Sequence, residues 1–189
     1  MLRFIAQSIG FLGTLILFIS FQMPVKKKIL LFQIISAFIF AVHYFFLGLD
    51  TGNFSGMVMN LVAMVRTVLF YFEDKKWFRP YLFTGTFLCI ILYIGIDTWK
   101  NIYSLFPMLA MVDSTLCLNI KKEKYFRIFN FPGSPLWLVY GIYSKSYSGI
   151  LGEIFTMTSI IIAVIRYDIL HLGKKPSKLR LFKGRAGGA

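Results

Sequence analysis

Stretches of apolar residues, each about as long as a membrane-crossing helix, alternate along this chain with short polar joints. They cover 4–23, 29–49, 54–72, 81–96, 102–120, 125–143 and 149–170. A bilayer's hydrocarbon core is roughly 30 Å thick and takes about 20 helical residues to cross. Runs such as Ile29-Leu30-Leu31-Phe32 and Ile160-Ile161-Ile162-Ala163-Val164 hold no alternating polar positions, which argues against a membrane β-barrel. Helices satisfy their own backbone groups within lipid, and isolated strands do not. The pattern predicts an all-α polytopic membrane protein with seven transmembrane helices. The fourth segment is the shortest and ends at Asp97. The first has no small-residue cleavage site and runs into Pro24 and Lys26-Lys27-Lys28, so it reads as a retained span rather than a secretory signal.

Composition agrees with this picture. Of 189 residues, 57% are hydrophobic and 15% charged, a balance that would cover a soluble domain in apolar surface. The net charge of +13 would suit a nucleic-acid binder, but the basic residues fall in alternate joints, as in cytoplasmic loops. One set of joints carries Lys26–Lys28, then Lys75, Lys76 and Arg79, then Lys121, Lys122, Lys124 and Arg127, and the C-terminal tail adds six more. The other set carries only Arg3, Lys100 and Lys145. This asymmetry places the N-terminus outside and the C-terminus in the cytoplasm. Trp77, Tyr81, Trp99 and Tyr103 fall at span ends, where amphipathic rings anchor in the headgroup layer. Cys89 and Cys117 stand alone in apolar segments and read as packing residues.

Shifting the chain on itself by 93 residues pairs the first span with the fifth, the second with the sixth and the third with the seventh. Gly48/Gly141, Ser55/Ser148 and Gly56/Gly149 are then identical, so Gly-x6-Ser-Gly recurs at the same turn of each half. An intervening fourth helix gives the two triplets the same orientation, a 3+1+3 plan. The expected division is a first three-helix bundle at 1–76, a linker helix at 77–98, a second three-helix bundle at 99–170 and a basic, disordered tail at 171–189.

The stretches 27–33, 43–48, 70–77 and 134–140, with Gly152-Glu153-Ile154 and 160–168, resemble the bacterial YgjV-type inner membrane protein family. The resemblance runs almost to the end of the last span and implies the inner membrane as location, without implying an activity. The 3+1+3 plan is itself similar to the SWEET, PQ-loop and PnuC transporters. The PQ-loop signature is departed from, since Met23 separates Gln22 from Pro24 and no glutamine adjoins Pro107. In SWEET-like transporters the helices matching spans three and seven contribute a facing polar pair, which by resemblance would be Asn60 and Glu153.

Ionisable groups inside a span cost roughly 2.5–3.5 kcal/mol each, so each needs a partner, a wet cavity or an interface. His43, Arg66, Asp113, Glu153 and Arg166 are the set. Arg166 lies near a span end and can snorkel beside Asp168. Asn60 and Glu153 fall on each other under the 93-residue shift and should share one depth. His43 would suit proton coupling, but a structural histidine bonded to a backbone carbonyl is the reading favoured here. Arg66 points to a different face from Asn60; it could bind an anionic solute group or neutralise Asp113, the reading favoured here. Pro132 and Pro135 must kink or unwind the sixth span, beside Asn130 and with Trp137 available to stack on a solute. The candidate solute-binding residues are Asn60, Glu153, His43, Arg66, Asp113, Trp137 and Asn130. No nucleophile with a base, metal cluster or phosphate loop stands out, so neither enzyme nor cofactor nor metal is expected.

The function that fits best is a small-solute transporter or facilitator working by alternating access between two similar bundles. A non-transporting receptor or interaction protein on the same bundle is the alternative. The partners implied are the lipid bilayer and a small solute of unknown identity. Further copies of the chain in a homo-oligomer are an option the sequence leaves open; nucleic acid is not expected.

Overall fold

The computed structural model describes residues 2–170 apart from 53, 98 and 100, so the readings of the tail and of Lys100 lie outside the described residues. Helices α1 (Leu2–Phe21), α2 (Lys26–Thr51), α3 (Ser55–Tyr71) and α4 (Pro80–Asp97) come first. A 3₁₀ turn at Ile102–Ser104 leads into α5 (Leu105–Cys117), then α6 (Glu123–Asn130), α7 (Gly133–Tyr143) and α8 (Tyr147–Ala163), which widens into a π turn at Val164–Ile169. No strand occurs among the described residues. Local chemistry sets the ends. Pro24 stops α1, Pro80 opens α4 where its missing N–H costs nothing, and Gly52 closes α2 at φ 69°, its N–H donating to the Gly48 carbonyl at 2.7 Å.

Helices α1, α2 and α4, and α8 with its π turn, are long and apolar enough to cross a membrane, and Gly56–Tyr71 and Ile102–Cys117 are shorter apolar helices. The expected sixth span, 125–143, is not continuous. Pro132 and Pro135 remove two donors of the helical ladder, and the chain breaks between α6 and α7. Tight i→i−3 bonds replace the lost ones, Phe131 N to Ile128 O and Ser134 N to Phe131 O, both 3.2 Å. The Phe129 carbonyl, opened by the break, accepts the Cys117 thiol of α5 at 3.0 Å.

Helix α2 lies between α1 and α3, and α7 between α5 and α8; α8 returns along α1, and α3 touches α5. These six helices close a ring. Helix α4 sits outside it, mainly against α5, with Tyr81, Leu82, Tyr93 and Ile96 exposed. Phe4, Phe38, Phe129 and Ile161 are likewise exposed, as lipid requires and water does not tolerate. Trp77, Trp99 and Tyr103 are exposed at helix ends.

At the end of the ring that holds the basic joints, Phe21, Ile29, Leu30, Phe70, Phe78, Leu118, Phe126 and Ile160 form a dry cluster drawn from helices all round the ring. Ala6, Tyr44 and Leu47 pack together at the opposite end.

Candidate functional site

A cavity of about 160 Å³ lies inside the ring, above the cluster at the basic end. An apolar cavity of roughly 150 Å³ admits benzene, so this one has room for a solute of a few heavy atoms. Its wall combines aromatic rings from Phe40, Tyr44 and Trp137 with polar groups from Gln33, Asn60, Arg66, Ser114, Asn130, Ser134, Glu153 and Thr156. Polar groups inside apolar helices are rare because water is not there to solvate them.

Asn60 projects from α3 and donates its side-chain amide to the Gly56 carbonyl one turn back at 2.8 Å. Asn130, at the end of α6, does the same to the Phe126 carbonyl at 2.8 Å. Each side-chain carbonyl is left available to the cavity. Glu153, on α8, is half-buried, with the Ser134 hydroxyl of α7 beside it. Arg66 is only 4% exposed. Its Nη1 donates to the Met111 carbonyl at 3.0 Å and to the Thr115 hydroxyl, both on α5, while its Nε is buried without a partner. The hydroxyl of Thr156, another lining residue, is also buried and unpartnered.

Asn60, Arg66, Asn130, Trp137 and Glu153 therefore share one cavity. Arg66 does not face away from Asn60 as helical spacing alone suggests, because its long side chain reaches the common space. It does not neutralise Asp113 either: the two form no ion pair, in contrast to Lys26–Glu73, Lys27–Asp74 and Arg127–Asp168. Asp113 lies off the cavity wall, against the Gly133 backbone where α7 begins. Its carboxyl group is turned toward the Gly133 N–H that the helix break frees and not toward the guanidinium, and its Oδ2 is buried without a hydrogen-bond partner.

His43 also lies off the wall. It is fully buried, with Nδ1 on the Ala6 carbonyl at 2.6 Å and Nε2 on the Ser146 hydroxyl at 3.2 Å. A carbonyl only accepts, so Nδ1 carries the proton. The ring ties α1 and α2 to the turn before α8. A Cβ on Gly10 would come within 2.8 Å of this ring and 2.2 Å of the Ser148 hydroxyl, so only glycine permits the approach.

Tyr44, Ser114 and Thr156 are lining residues outside the expected set, and the 93-residue shift carries a signal for all three, Ser114 falling on the lining residue Phe21. Tyr44 falls on Trp137, and Thr156 on the lining residue Ala63. Leu17/Ala110, Phe40/Gly133 and Asn60/Glu153 are further pairs at the same separation whose members both line the cavity.

A ring of apolar helices with a lipid-facing exterior and a sparsely polar interior defines a multi-pass membrane protein. The chain belongs to the Imp-YgjV family of bacterial inner membrane proteins, whose model matches residues 4–170, and its location is the bacterial inner membrane. No curated protein and no solved structure matches it.

Proposed function

We propose that the chain is a small-solute transporter or facilitator in which two related units, α1–α3 and α5–α8, rock about the cavity to open it to either side. The observation that carries this reading is the pairing of the cavity wall: positions 93 apart line it from both units, as a two-fold axis through the site would require. The bonds between the units support the same axis. Arg66 of α3 donates to Thr115 of α5, and Gln22, just after α1, donates to the Ser159 hydroxyl of α8 at 2.9 Å. Arg66 and Ser159 are 93 positions apart, and so are Gln22 and Thr115. Neither bond is visible in sequence identity, since the residue types differ.

In this reading the seven expected spans stand as a 3+1+3 bundle, with the broken α6–α7 as one of them and the basic joints in the cytoplasm. The basic end is then the cytoplasmic gate. Beneath the cavity, Lys26 donates to the Leu118 carbonyl at 2.8 Å, Arg127 to the Met23 carbonyl at 2.9 Å and the Tyr167 hydroxyl to the Gln22 carbonyl at 2.9 Å. All three bonds cross from one unit to the other, and they part when the site faces the cytoplasm.

Reconstituted protein in liposomes, offered a panel of small polar solutes, should take up at least one of them in a saturable way. Folded protein that moves none of the panel defeats the proposal. Saturable binding without uptake would favour the receptor reading, to which the sealed basic end lends some support.

A further inference from the structure

Among the described residues that line the cavity, Arg66 brings a guanidinium and Glu153 a carboxyl group, and no ion pair joins them. The partners of Arg66 are a carbonyl and a hydroxyl, both neutral, so its buried charge has no anion in contact. A buried charge without a counter-charge is costly. Its free Nε and the free hydroxyl of Thr156 are two unpartnered groups in the wall of one small space. Glu153 stands in the same wall with no cation against it.

Resting on the transport reading, we infer that the cavity takes a small zwitterion, its acidic group on Arg66 and its ammonium on Glu153. A ligand of this kind supplies the missing counter-charge at each end and leaves the net charge of the site unchanged. An anion or a cation of one sign would satisfy one end and leave the other bare. A neutral polyol would satisfy hydrogen bonds and neither charge. Tyr44 and Trp137 add aromatic faces, favourable to an ammonium group, to the same wall.

The separation of the two charges sets the ligand's length. Asn60 holds the position in α3 that Glu153 holds in α8, and Arg66 lies roughly 9 Å further along the α3 axis. A helical side chain leans back toward the N-terminus, which shortens that gap. Acid and amine should then be several bonds apart, as in an ω-amino acid, more than on one carbon.

The test uses the full-length chain in nanodiscs, with thermal unfolding and equilibrium binding as readouts. Glycine, β-alanine, γ-aminobutyrate and 5-aminopentanoate form the zwitterion series, and butyrate, butylamine and erythritol are the controls. The expected result is stabilisation by a longer zwitterion, with the three controls inactive. Arg66→Gln risks misfolding because Arg66 also ties α3 to α5, so Glu153→Gln and Thr156→Ala carry the test. Each should weaken the best zwitterion about tenfold or more, and Glu153→Gln should bring γ-aminobutyrate and butyrate to similar affinity. Any control that matches the best zwitterion on the unmodified protein overturns the inference, as does silence from every zwitterion. Uptake of erythritol without zwitterion binding would sink the inference and leave transport standing, whereas zwitterion binding with no uptake would do the reverse.

Discussion

Arg127 shows what a single charge demands inside this ring. It is 1% exposed, lies 3.3 Å from Asp168 and donates to the Met23 carbonyl, with the Tyr167 ring beneath its guanidinium at 5.0 Å. Removing one partner of a buried pair leaves the other charge stranded, so Asp168→Asn should destabilise the protein by about 3 kcal/mol or more. Lys27 and Asp74 make an ion pair too, but with 47% and 70% of their side chains exposed. The Lys27 ammonium holds the Asp74 carboxyl below the usual carboxylate range. Whatever this contributes is present above about pH 4 and is lost as pH falls through the depressed value. Water already solvates both groups, so Asp74→Asn should leave the unfolding temperature unchanged. Thermal unfolding of the two variants in detergent checks the contrast, and an equal loss from both would refute it.

The break between α6 and α7 is the clearest case of one element shaping its neighbour. Two prolines open the ladder, and α5 supplies what fills it: the Cys117 thiol for the Phe129 carbonyl and the Asp113 carboxylate facing the Gly133 backbone. Asp113→Ala should therefore cost about 1–3 kcal/mol, while Asp113→Asn, which keeps an acceptor oxygen, should recover a good part of it; comparing the two melting curves decides. Apolar runs and prolines announced this element well, because hydropathy and the missing proline donor are local properties. The destination of Asp113 was not local. Sequence logic pairs it with the nearest opposite charge, Arg66, but a freed N–H at a helix start competes for the carboxylate, and only the bend of the chain reveals that competitor. Of the two readings of His43, the structure bears out the bond to a backbone carbonyl. The ring's place off the cavity is decided by Gly10, which lets α1 approach closely enough for the Ala6 carbonyl to take the imidazole proton. Asn60 and Glu153 stand out in the sequence because the 93-residue shift sets one against the other, and pairing Tyr44 with Trp137 needs only the same comparison at the neighbouring helix.

At the scale of the molecule, alternating access requires the two units to move across the interfaces they share, and α1 against α8 is the more extensive of these. Thr14 and Gly152 meet there. A Cβ built on Gly152 lies 2.9 Å from the Thr14 hydroxyl, the place a cysteine sulfur at position 14 would take, so the two positions are near enough to be joined by a disulfide. Neither residue lines the cavity. In a Cys89→Ser, Cys117→Ser background, Thr14→Cys with Gly152→Cys should allow ligand binding whether oxidised or reduced. Uptake should be lost on oxidation and return with reductant, because the bond fastens one unit to the other without entering the site. Transport that persists through the cross-link would mean that the units do not part along this seam, and the site would then have to open by local movement, for which the break at Pro132 and Pro135 is the obvious hinge.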